Sequence, residues 1–174
     1  MKFGLSLFAV LILATPALAF ETEEIGVLEA RFGDENISQP TVIARSENET
    51  SATAFLFLAG GGFSSFSIAG YSLDNKRLSL ELDYMSERPA VGTVPIGVTI
   101  TYAPQGTAQH WTSEGAPTPP AISFTRLDVV GEEGHAVGTF AALLCYADGY
   151  GVEADTANCR QIDGHFDTRF FVEQ

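Results

Sequence analysis

GTFAALLC (residues 138–145) and GHFDTRFF (residues 164–171) decide the fold, because together they specify one strand pair. In an antiparallel ladder, residues that face each other have numbers of constant sum. Cys145 with Cys159, Phe140 with Gly164, and Gly138 with Phe166 all sum to 304. One register therefore sets each phenylalanine opposite the other segment's glycine and the two cysteines opposite each other. A ring lying over a glycine covers bare backbone and restores packing that the glycine lacks. Facing strand positions also bring two Cβ atoms to the ~3.5–4.5 Å that a disulfide needs.

This register puts Phe140, Ala142, Leu144, Phe166, Thr168, Phe170 and Val172 on one mostly apolar face. Val137, Thr139, Ala141, Cys145, His165, Asp167 and Arg169 fall on the other, with His135 opposite Arg169. The cysteines close the loop YADGYGVEADTAN, and a Cys145–Cys159 disulfide around a loop of about 15 residues contributes ~3 kcal/mol.

Period-two alternation recurs upstream while helical periodicity is nearly absent. Leu78, Leu80, Leu82 and Tyr84 alternate with Ser79, Glu81, Asp83 and Met85; Val94, Ile96, Val98, Ile100 and Tyr102 alternate with Pro95, Gly97, Thr99 and Thr101. Pro95 lacks an amide donor, which places it at the start of its strand or at a sheet edge. Further strands are expected near 25–32, 41–45, 52–58, 63–71, 121–130, 136–146 and 164–172. Turn residues separate them at Asp74-Asn75-Lys76 and Gly131-Glu132-Glu133-Gly134. In AGGGFSSFSIAGYS (59–72), three glycines follow an apolar strand, but no Lys-Ser/Thr follows them and no helix is indicated, so a turn is expected rather than a phosphate loop. The segment 103–120, with Pro104, Pro117, Pro119 and Pro120, reads as a long loop around a short His110-Trp111-Thr112 strand. The expectation is one all-β domain, an antiparallel sandwich of about nine strands, with a closed barrel as the alternative.

Residues 1–19 have the form of an export signal: Lys2, an apolar run from Phe3 to Leu13, and an Ala17-Leu18-Ala19 cleavage site. The mature domain then spans 20–174, and no later apolar run approaches the roughly 20 residues of a spanning helix. The expected location is periplasmic or extracellular, where a pair of cysteines is oxidised. Cleavage removes one base and no acid, so nine basic residues become eight against 22 acidic ones, and the net charge moves from −13 to −14. Such a charge argues against nucleic acid and anionic membrane surfaces as partners. Asn36-Ile37-Ser38 and Asn48-Glu49-Thr50 are glycosylation sequons, relevant in a eukaryotic source.

Chemistry-bearing clusters are sparse. The histidines His110, His135 and His165 lack the local spacing of a zinc site. Asp148, Glu153 and Asp155, beside Gly149 and Gly151, make an oxygen-rich loop that could suit Ca²⁺, although it matches no EF-hand; solvated acids and no cofactor are the expected reading. No G-x-S-x-G elbow occurs, and His165 and Asp167 are expected to lie on an exposed polar face. His110 and Trp111 mark a candidate binding loop, with Trp111 as a core plug the competing role.

The V-x-G-T-F-x-x-x-L run followed by a second G-x-F strand, Ala136 to Val172, resembles a pattern in small exported bacterial β-domains of unassigned function. The resemblance implies an exported β-domain and no particular activity. The functional expectation is a non-enzymatic binding or interaction module of the cell envelope, with a protein or small-molecule partner, using loops 103–120 and 146–158. The alternatives are a small hydrolase-type enzyme, and a barrel that carries a small apolar ligand.

Overall fold

A computed structural model of the chain describes residues 21–45, 50–106 and 108–173; residues 1–19, expected to be an export signal, and Asn48 lie outside these residues. The described chain is all β. In chain order the strands are β1 (Glu21–Phe32), β2 (Glu35–Arg45), β3 (Thr50–Ala52), β4 (Ala54–Gly60), β5 (Phe63–Ala69) and β6 (Arg77–Tyr84). They continue with β7 (Gly97–Ala103), β8 (His110–Thr112), β9 (Ala121–Val130), β10 (Glu133–Ala147) and β11 (Asp155–Glu173). The hydrogen-bonded order is β3-β2-β1-β11-β4-β5-β6-β7-β8-β10-β9, with a further β10–β11 ladder.

The β10–β11 ladder has the register that the two Gly-x-Phe stretches predict. Phe140 faces Gly164, Gly138 faces Phe166, His135 faces Arg169 and Cys145 faces Cys159. The cysteines form a disulfide. A Cβ at Gly164 would lie 2.5 Å from Phe140 Cζ, and one at Gly138 2.6 Å from Phe166 Cζ, so each ring rests on bare glycine backbone. The same register yields a third pair, Phe170 against Gly134.

β11 is the spine of the molecule. One edge pairs with β10; the other pairs first with β1 and then, at Phe171–Glu173, with β4. That last pairing is parallel, the one departure from the antiparallel expectation among the described ladders. Strands β3-β2-β1-β11-β10-β9 make one layer and β4-β5-β6-β7 the other, and their side chains interlock as in a sandwich. Phe66 of β5 packs edge-on against Phe170 of β11, and Phe32 of β1 against Tyr102 of β7. Leu78, Leu80, Leu82 and Tyr84 are fully buried, as their alternation requires. Aromatic and branched side chains thus fill the core of the described residues.

Three departures from the expected strands have local causes. The segment expected as one strand over 52–58 breaks at Thr53, where the chain passes from β2 to β11. Thr53 N donates to Val42 O (2.9 Å), its Oγ1 accepts from Val42 N (2.9 Å), and its carbonyl accepts from Ala69 N (2.7 Å). β2 starts six residues earlier than expected and contains Pro40, which is tolerated because β3 covers β2 only at Ile43–Arg45. β7 begins at Gly97, leaving Val94 and Ile96 outside the ladder and exposed. The glycine run forms the β4–β5 turn, with Gly60, Gly61 and Gly62 all at positive φ.

Candidate functional site

The early stop of the β7 ladder creates the most distinctive surface. Thr101 and Tyr102 of β7 pair with Thr112 and Trp111 of β8, and Ser113 N donates to Ile100 O (2.9 Å). Ser113 Oγ then accepts from Ile100 N (2.9 Å), and pairing ends there. The chain bows outward through Pro117, Pro119 and Pro120 and rejoins β10 at Ala121. Val94–Gly97 and Ala121–Phe124 face each other across the resulting gap with no ladder between them, among the described residues.

This unzipped seam is a crevice of about 410 Å³ between Val94–Val98 and Pro119–Ile122. It continues, past the shared Val94, Pro95 and Ile122, into a recess of about 370 Å³ reaching Val91 and Phe124. Its floor is the edge of the core: Val98, Ile122 and Phe124 are partly buried, and the Phe124 ring packs on Phe66 and Phe166. Its rim is apolar and open, with Val94 80 %, Ile96 59 % and Val91 55 % exposed. At roughly 2 kcal/mol for a fully buried Val or Ile, covering these three would contribute about 4 kcal/mol to a complex before entropic losses. The rim is also held in place. Thr93 N donates to Ala90 O (2.9 Å) and Ala90 N donates to Thr93 Oγ1 (3.0 Å), a turn made possible by Gly92 at positive φ.

One polar feature borders the seam. Asp83 Oδ2 would lie 3.1 Å from a Cβ at Gly97, so an exposed carboxylate with no ion-pair partner among the described residues stands at its edge. The next residue, Tyr84, turns to the opposite, core face of β6, and its buried hydroxyl has no hydrogen-bond partner among the described residues. Burial alone pushes that phenol up to about 12.

The outer face of β2-β1-β11-β10-β9 carries a ladder of paired charges. Glu23 binds Arg45 (2.8 Å) and Arg169 (2.6 Å), and these two guanidinium groups hold its carboxyl below the usual range. His135 Nε2 lies 2.6 Å from Asp167 Oδ1, while Arg126 grips Asp128 (2.7 Å) and lowers its pKa. His165 and Asp167 therefore do not engage each other. His165 Nε2 sits 3.2 Å from Glu29, whose other oxygen accepts from Ser38 Oγ (3.1 Å). This Ser-Glu-His array places the carboxylate in the middle, so the imidazole cannot take the serine proton.

The loops after β7 and β10 meet at the other end of β8. His110 stacks on Tyr150 with centroids 5.5 Å apart. Trp111 is buried, edge-on to Phe32 and Tyr146, with the Arg160 guanidinium 4.8 Å over its ring. Asp148 accepts from Tyr146 Oη (3.3 Å), Asp155 accepts from Ala157 N (3.0 Å), and Glu153 is exposed. No group of three or more His, Cys, Asp or Glu able to hold a metal occurs among the described residues. A second polar cleft lies between β2 and the β5–β6 turn, where the buried Tyr102 hydroxyl donates to Glu35 (2.9 Å) and Lys76 bridges Glu35 and Asp74. Burial and the adjacent Glu35 carboxylate both raise the Tyr102 pKa.

No protein-family model, curated protein or solved structure matches the chain. Function is therefore carried by the chemistry of these surfaces. The seam escapes a reading of the sequence because Val94 and Ile96 extend the alternation of β7 and so read as core. The signal that marks it is Pro95 together with Pro119-Pro120, three missing amide donors on the two segments that fail to zip.

Proposed function

We propose that the chain is an exported, non-enzymatic binding module of the cell envelope, and that the seam between β7 and β9 is its working surface. The observation that carries this reading is the pinned, apolar, open crevice itself. Exposed apolar surface gathered around one concavity is a marker of an interaction site. The export-type N-terminus and the disulfide favour a periplasmic or extracellular setting. The hydrolase alternative draws little support, since His135 and His165 are committed to carboxylates and Ser38 to Glu29. The internal-carrier alternative competes with a core in which Phe66, Tyr84, Tyr102, Phe166 and Phe170 are fully buried.

Nile red, a neutral dye whose emission rises in apolar surroundings, tests the seam. The parent protein should enhance its fluorescence, and Val94→Asp with Ile96→Asp should abolish most of that enhancement. Because both side chains are exposed, stability should stay within about 0.5 kcal/mol. Persistent enhancement in the folded double variant, or none in the parent, would refute the seam as the site.

A further inference from the structure

We infer that the seam takes a short extended peptide, added as a strand to β9, with apolar side chains at alternate positions and a basic residue at its flank. This rests on the seam being the working surface and specifies what fills it.

Among the described residues β9 is the last strand of its layer and pairs with β10 alone. Alternate N–H and C=O groups along its other side are therefore unmatched by any strand, which is the template for strand addition. The usable stretch is short. At Thr125 the β9–β10 register shifts, Thr125 Oγ1 donates to Val137 O, and beyond it the outer face carries the Arg126–Asp128 ion pair. Ala121–Phe124 remain, flush with the crevice, and four extended residues span ~13 Å at about 3.3 Å per residue. An added strand turns every second side chain to one face, and the floor of Val98, Ile122 and Phe124 suits apolar ones.

Charge selects among occupants. Asp83 stands unpaired at the seam, and the flanking loops carry Glu87 and Glu114 against Arg88. A second copy of this chain, with its own net charge of −13, would bring like charge to the same edge. A fatty acid would bring a carboxylate there and would leave the β9 amides unmatched. A peptide with a Lys or Arg beside its apolar residues satisfies both the edge and Asp83.

The probe is acetyl-Lys-Val-Thr-Ile-Thr-Lys-amide, titrated by calorimetry into the full chain at low and high salt. Its comparators are the same peptide N-methylated at Val and Ile, and dodecyl maltoside as an uncharged apolar chain. The expected result is binding of the parent peptide and loss on N-methylation. Asp83→Asn should weaken binding about two- to fivefold at low salt, a difference that high salt removes. Equal binding of both peptides would overturn strand addition. Binding of the maltoside alone, sensitive to Val94→Asp, would overturn the peptide while leaving the seam as the site. Binding of no probe would overturn both.

Discussion

Adding one methyl group at Gly164 tests the stacking of rings on glycines at the centre of the fold. In a strand, Ala ordinarily exceeds Gly in stability by ~0.5–1 kcal/mol, so the sign of the change is itself diagnostic. Here the new Cβ would lie 2.5 Å from Phe140 Cζ and closer still to the Glu29 carbonyl oxygen. The ring could swing aside, but Glu29 belongs to β1, which is laddered to β11 from Gly26 to Phe32, so relief requires moving a strand. Overpacking of this kind destabilises by ~1–3 kcal/mol, and backbone involvement places Gly164→Ala near ~3 kcal/mol. For a domain of this size, that is a fall in Tm of ~6–12 °C. Thermal and urea unfolding followed by circular dichroism, with the disulfide intact, would measure it. Phe140→Leu in the Gly164→Ala background removes one of the two clashes, and a double-mutant cycle should return ~0.5–1.5 kcal/mol of favourable coupling. A Gly164→Ala protein as stable as the parent, or strictly additive variants, would refute the arrangement.

Two further perturbations follow from the same structure. Reducing the disulfide, or Cys145→Ser with Cys159→Ser, should lower stability by about 3 kcal/mol, because it frees a loop of about 15 residues in the unfolded chain; no change on reduction would show the ladder to be self-sufficient there. Tyr84→Phe deletes a buried hydroxyl that has no partner among the described residues and should leave stability unchanged or raise it by ~1 kcal/mol at neutral pH. In the parent, folded Tyr84 keeps its proton to about 12 while an unfolded tyrosine loses it near 10. The native state therefore binds more protons between those values, and stability must fall as pH rises from about 10 to about 12. Urea unfolding across that window should show a shallower decline in Tyr84→Phe, and an identical slope would place the hydroxyl in water.

Legibility in the sequence followed the rule of period two. Where alternation met a fixed chemical anchor, as in Phe140–Gly164 and Cys145–Cys159, even the register could be read. Where alternation stood alone it held for Leu78–Tyr84 but misled at Val94 and Ile96, which share the pattern of Val98 and Ile100; alternation reports a face and not whether a partner strand is present. The break at Thr53 was invisible because it depends on three hydrogen bonds to residues remote in sequence. The first half of β11, Asp155 to Asp163, was missed because most of its side chains are polar and exposed, so no apolar face announces it. The polar outer face of β11 was legible as a face, whereas the Ser38-Glu29-His165 contact, spanning β2, β1 and β11, required the topology.

The seam also reconciles two opposing demands on an edge strand. A long, flat, apolar edge recruits further strands without limit, so proteins that expose one tend to aggregate. This edge is bounded at both ends. Pro119-Pro120 immediately precede β9, and the Thr125 irregularity with the Arg126–Asp128 pair closes the usable stretch after four residues. Across the gap, Pro95 lacks one of the donors that would zip Val94–Gly97 onto Ala121–Phe124, which disfavours closure of the crevice by the chain itself. An added segment longer than those four residues meets a proline on one side and a charged, twisted strand on the other. Under the proposed strand addition, the same residues that keep the crevice open would limit what enters it to a single short strand, which is what separates a binding edge from an aggregating one.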